Sequence, residues 1–93
     1  MSFRWNPWLG ERLALAWKAA LAVLGDGGWH SSLSLIYAMT QASGVAEKTA
    51  ENLLRQGVRE AALQDRRGGG ARRFARRMFR IHPRAPRELV EAP

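Results

Sequence analysis

The chain has no cysteine, which excludes disulfides, thiolate nucleophiles and thiolate metal ligands. Histidine is almost as scarce. His30 and His82 are the two copies, and no carboxylate cluster beside either completes a metal-ligand set. Ser31, Ser32 and Asp26 make no triad with a distant histidine in so small a body. Gly68-Gly69-Gly70 lacks the Lys-Ser/Thr and the helix that would make it a phosphate loop. Neither an enzymatic activity nor a cofactor is therefore expected. Long apolar runs are missing as well. Leu13 to Leu24 is interrupted by Lys18 and falls short of the roughly 20 residues a membrane helix needs. The first residues hold only Arg4 before Glu11, and Gly25-Asp26-Gly27-Gly28 is no small-x-small cleavage site, so no secretory signal is expected. The expected location is cytoplasmic, or nucleoid-associated in a bacterial or phage setting.

What is present is one domain's worth of chain: 93 residues, 46% apolar, with a formal net charge of +7. The distribution of that charge is more informative than its size. Residues 1–54 balance Arg4, Arg12, Lys18 and Lys48 against Glu11, Asp26, Glu47 and Glu51. Residues 55–87 carry eleven arginines against Glu60 and Asp65, a net of +9. Such a local field attracts polyanions. Thirteen of the fifteen basic residues are arginine, whose planar fork suits phosphate and guanine edges. A G+C-rich genome would account for arginine over lysine, but not for the clustering.

Hydrophobic spacing orders the chain. Asn6-Pro7 reads as a helix start, and Leu9, Leu13, Ala16/Trp17, Ala20 and Leu24 form one apolar stripe on a helix over about 7–24, with Gly25 as its exit. Trp29-His30 reads as a very short strand. Ser31-Ser32 offers a cap for a second helix over about 33–42, broken by Ser43-Gly44-Val45. Residues 46–60 read as a third helix with Thr49/Ala50, Leu53, Leu54 and Val58 inward, weakened at Gly57, which offers an earlier end. Leu63 to Arg67 and Arg72 to Ile81 flank the glycine cluster as a β-hairpin, with Phe79 and Ile81 packing on Leu63 at its base. Residues 82–93 contain three of the four prolines and read as a loose tail, with one helical turn near Arg87 to Val90. Trp17 and Trp29 are expected in the core. Phe3, Trp5 and Trp8, mostly in an aromatic extension over 1–6, either staple the first helix or form a homodimer contact.

The segment Ser43-Gly44-Val45-Ala46-Glu47-Lys48-Thr49-Ala50-Glu51-Asn52-Leu53-Leu54-Arg55 resembles the turn and recognition helix of winged helix-turn-helix DNA-binding domains. Leu63 resembles the leucine that opens the wing, and Arg66-Arg67-Gly68-Gly69-Gly70-Ala71-Arg72-Arg73 resembles a wing tip. The resemblance covers about 7–81. It departs from the family at Ala46, where a capping Ser or Thr is common, at Ala62, where glycine is usual before the wing, and at Thr40. It implies a mainly α fold of three helices with a small β-hairpin wing.

By that resemblance the partner is double-stranded DNA. Glu47, Lys48, Glu51, Asn52 and Arg55 would face base edges in the major groove, and Arg66, Arg67, Arg72, Arg73, Arg76 and Arg77 would meet phosphates or a minor groove. The implied role is that of a small transcriptional regulator or an excisionase-like accessory factor. Glu47 and Glu51 weigh against base reading, because they repel phosphate unless they accept from cytosine or pair with Lys48 and Arg55 at helical spacing. They leave open a protein-interaction adaptor on the same fold. RNA binding is less favoured, since Phe74 and Met78 are the only candidates among the basic residues for stacking on bases.

Overall fold

The first helix begins later than Asn6-Pro7 suggests. In the computed structural model, which describes residues 5–67 and 77–93, α1 spans Glu11–Leu24. Asn6 closes a local turn instead, its Oδ1 accepting the Trp8 N–H at 2.9 Å. Gly10 then takes φ 88°, a left-handed conformation that a helix interior does not accommodate. The apolar stripe is accordingly shorter than its sequence spacing: Ala16, Trp17, Ala20 and Leu24 are fully buried, whereas Leu9 is 68% exposed.

A two-residue strand β1 (His30–Ser31) leads into α2 (Ser32–Ser43). Ser31 caps α2 by accepting the Ser34 N–H on its Oγ at 3.2 Å. Gly44 at φ 74° ends that helix and turns the chain into α3 (Glu47–Arg59). Ala46 stands at the N-cap of α3 with no side-chain bond to offer. Strands β2 (Leu63–Arg67) and β3 (Arg77–Ile81) and a single turn of helix, α4 (Arg87–Val90), complete the described elements. The fold is mainly helical, with a three-stranded antiparallel sheet in the order β1-β3-β2. Leu63 pairs with Ile81 and Arg67 with Arg77, so the hairpin base expected from the sequence is present. The expected strand residues 72–76 lie outside the described residues.

Three further sequence expectations need correction. Gly57 does not end α3; it permits a close approach. A Cβ there would stand 2.8 Å from the Trp17 ring and 3.0 Å from Leu63 Cδ1, so α3 meets α1 and β2 where only glycine fits. The helix ends instead at Arg59 in a Schellman arrangement, with Ala62 N–H donating to Gly57 O at 2.9 Å and Ala61 N–H to Val58 O at 3.1 Å. The left-handed residue in that arrangement is Ala61, at φ 58°.

The segment 82–93 is docked rather than loose. Leu89 is buried, the Trp17 Nε1–H donates to Leu89 O at 2.6 Å, and the Trp8 Nε1–H donates to Glu88 O at 2.8 Å. An indole buried in a core must place its N–H on an acceptor, and the α4 backbone supplies one. Trp5 packs edge-on against Trp17, with centroids 5.1 Å apart at 83°. Trp5 and Trp8 are thus engaged within the chain. Phe3 lies outside the described residues.

Trp29 is the third correction. It is half-buried at the sheet surface rather than in the core.

Candidate nucleic-acid interface

The amphipathic pattern of α3 decides which of its side chains reach solvent. Ala50, Leu53, Leu54 and Gly57 face the core. Lys48, Asn52, Arg55 and Arg59, spaced four, three and four apart, form one exposed stripe on the opposite side. Glu47 is exposed beside the start of the stripe, and Glu51 is half-buried. Glu47 and Glu51 form no ion pair with Lys48 or Arg55; the pairs among the described residues are His30–Asp26, Arg77–Asp65 and Arg87–Glu91. Glu47 sits in the first turn and Arg59 in the last, each at the helix end whose dipole favours its charge.

The sheet brings further arginines to this helix. Arg55, Val58 and Arg59 of α3 line a shallow cleft with Asp65 of β2 and Arg77 of β3. A neighbouring cleft joins Glu51 and Arg55 to Ser32, Ile36, Leu54, Arg77 and Phe79. Arg77 Nε lies 3.1 Å from Asp65 Oδ2. That partly exposed pair contributes little stability, about 0–1 kcal/mol, but it fixes the guanidinium and offsets its charge. Arg67 is exposed and lies across the ladder from Arg77.

Arg66 differs from its neighbour Arg67. Its Cζ lies 4.2 Å from the centroid of the Trp29 ring. Arg72, Arg73 and Arg76 lie outside the described residues. The structure therefore brings Arg55 and Arg77 together, leaves Lys48 and Asn52 open along the helix, and moves Arg66 to another surface.

Two arginines not expected at a site belong in this picture. Arg59 continues the stripe one turn beyond Arg55 and was visible as an i, i+4 repeat. Arg80 has its Cζ 4.7 Å from the Trp29 centroid, and its Nε donates to Gln64 Oε1 at 2.7 Å. Its alternation with Phe79 would have placed it on the outer face, but its ring partner lies 51 positions earlier and no local pattern links them.

Other surfaces are less suited to a polyanion. A cleft of about 520 Å³ is lined by Trp5, Asn6, Trp8, Glu60, Pro86, Glu88, Leu89 and Pro93, with acidic groups and, among the described residues, no basic one. Among the described residues no charged or polar side chain is buried, and no group of three or more His, Cys, Asp or Glu residues could hold a metal. None of the described helices is long and apolar enough to cross a membrane. Comparison with protein-family models, with curated proteins and with solved structures finds no match.

Proposed function

We propose that the protein is a non-catalytic binder of double-stranded DNA built as a winged helix-turn-helix, with α3 in the major groove and the arginine-rich hairpin on phosphates or in a minor groove. What carries the reading is the α3 stripe of Lys48, Asn52, Arg55 and Arg59, which has no ion-pair partner among the described residues and continues into Arg77 of the sheet. Lysine and arginine reach guanine acceptors and asparagine reaches adenine, so the stripe holds the chemistry of base readout. The left-handed turn at Gly44 and the sheet order β1-β3-β2 fit the same architecture. A small transcriptional regulator or an excisionase-like accessory factor is the role this composition suits.

The experiment is a selection from a randomised duplex pool, run in parallel for the wild type and for Asn52→Ala. Loss of preference at one or two positions, with little loss of total binding, supports base readout by α3. Equal loss across the pool contradicts it. Glu47 and Glu51, without ion pairs on the same helix, favour a second reading in which α3 docks on a protein partner. Under that reading the selection returns no enriched sequence.

A further inference from the structure

Strand alternation sorts the basic residues of the hairpin onto two faces. Leu63, Asp65 and Arg67 share one face with Arg77, Phe79 and Ile81, while Gln64 and Arg66 share the other with Met78 and Arg80. The first face turns toward the core, where Leu63 and Phe79 are buried, and its Arg77 is already paired with Asp65. The second face carries no carboxylate from either strand. Trp29 directly precedes β1, whose His30 pairs with Phe79, so it falls beside Arg80 on this outer face.

There one indole holds two cations. The guanidinium carbons of Arg66 and Arg80 stand 4.2 Å and 4.7 Å from its centroid, and Gln64 takes the Arg80 Nε–H. A guanidinium held over an aromatic face is fixed through its π surface, which leaves the N–H groups at its edge free to donate. For Arg80 these are its Nη groups. Neither arginine has an ion pair among the described residues. Two like charges gathered on one ring without a counter-charge repel each other, and an anion bridging them relieves that repulsion. With its ring covered by arginines, Trp29 is poorly placed to stack on a base, so phosphate oxygens are the better match.

We infer that Trp29, Arg66 and Arg80 form a phosphate clamp on the outer face of the sheet, in which Trp29 positions both guanidinium groups to take two backbone phosphates of a DNA duplex. The inference rests on the duplex-binding reading and adds to it a site separate from α3.

The test measures binding of a labelled duplex, and of a single strand of the same length, by fluorescence anisotropy across a series of KCl concentrations. The proteins are the wild type, the double variant Arg66→Ala/Arg80→Ala, Trp29→Leu and Trp29→Phe, each with a thermal melt. Loss of two phosphate contacts lowers the log–log salt slope by about 1.8 and weakens duplex binding roughly 60-fold near 0.1 M salt. Trp29→Leu keeps both charges, so it preserves the slope while weakening binding several-fold, and Trp29→Phe restores most of that loss. If the wild type binds duplex and the double variant keeps its slope and affinity, the clamp is wrong and the duplex reading stands. If the wild type fails to bind duplex at low salt, the duplex reading itself falls. A Trp29→Leu protein that melts earlier but binds normally when folded shows that Trp29 only fastens the sheet, which overturns its positioning role. Tighter binding of the single strand, lost in Trp29→Leu but kept in the double variant, assigns the ring to base stacking and overturns the clamp.

Discussion

Gly57→Ala separates helix propensity from packing, because the two act in opposite directions. By propensity alone, alanine inside α3 gains about 1 kcal/mol over glycine. The structure opposes this. The new methyl would stand 2.8 Å from Trp17 Cη2 and 3.0 Å from both Cδ1 and Cγ of Leu63. Neither neighbour yields easily: Trp17 is fully buried with its N–H bonded to Leu89 O at 2.6 Å, and Leu63 is 1% exposed at the start of β2. Overpacking of this kind costs typically 1–3 kcal/mol. Because the overlap involves two rigidly held side chains, we place the cost near the top of that range and the net change at about 1–2 kcal/mol destabilising. For a domain of this size that lowers Tm by roughly 5–15 °C. Thermal melts followed by circular dichroism measure the change, with Gly25→Ala as the control, since Gly25 has φ −63° and a new Cβ there would meet only backbone oxygens, the nearer at 3.4 Å. A Gly57→Ala protein that melts at or above the wild-type temperature would refute the close approach of α3 to Trp17.

Ala61 occupies a left-handed position at φ 58°, so Ala61→Gly is expected to stabilise the fold by about 1 kcal/mol in urea denaturation, and an unchanged midpoint would contradict the Schellman geometry. Leu89→Ala removes a buried side chain from the turn that accepts the Trp17 N–H; we expect a loss of about 2–3 kcal/mol, whereas a loose tail would lose none. Asp26 is hydrogen-bonded by the His30 ring at 2.9 Å and by the Gly28 N–H at 2.8 Å, and these hold its carboxyl below the usual value of 3.8. A carboxyl lowered on folding stabilises the native state above its unfolded pKa, and that contribution is lost as pH falls through the lowered value. Melts of wild type and Asp26→Asn should therefore differ at neutral pH and converge below 3.8, and a constant difference down to strong acid would contradict the bond to His30.

Much of the fold is legible in the sequence because its signals are local. Ser31 ahead of Leu35, Ile36 and Met39 announces a capped helix, Gly44 its end, and Leu63 with Phe79 the base of a hairpin. The failures are places where a tertiary contact prevails. The N–H of Trp17 and that of Trp8 draw 82–93 onto the core, and no feature within that proline-containing segment signals it. Gly57 has a helix-weakening composition but is retained by the approach of α1 and β2. Trp29 has the apolar character of a core residue, yet two arginines from distant strands draw it to the surface.

The candidate site was legible to a similar extent. Helical spacing identifies Lys48, Asn52 and Arg55 as outward-facing. The separation of Arg66 from Arg77 requires strand register, which depends on the pairing of Arg67 with Arg77 and not on composition.

The most direct test of the central claim is the affinity of the wild-type protein for duplex DNA as a function of salt. With five to seven phosphates contacted by the basic segment and α3, log K should fall with log salt at a slope of roughly −4 to −6. Absence of duplex binding at low salt, or a slope near zero, would contradict the account.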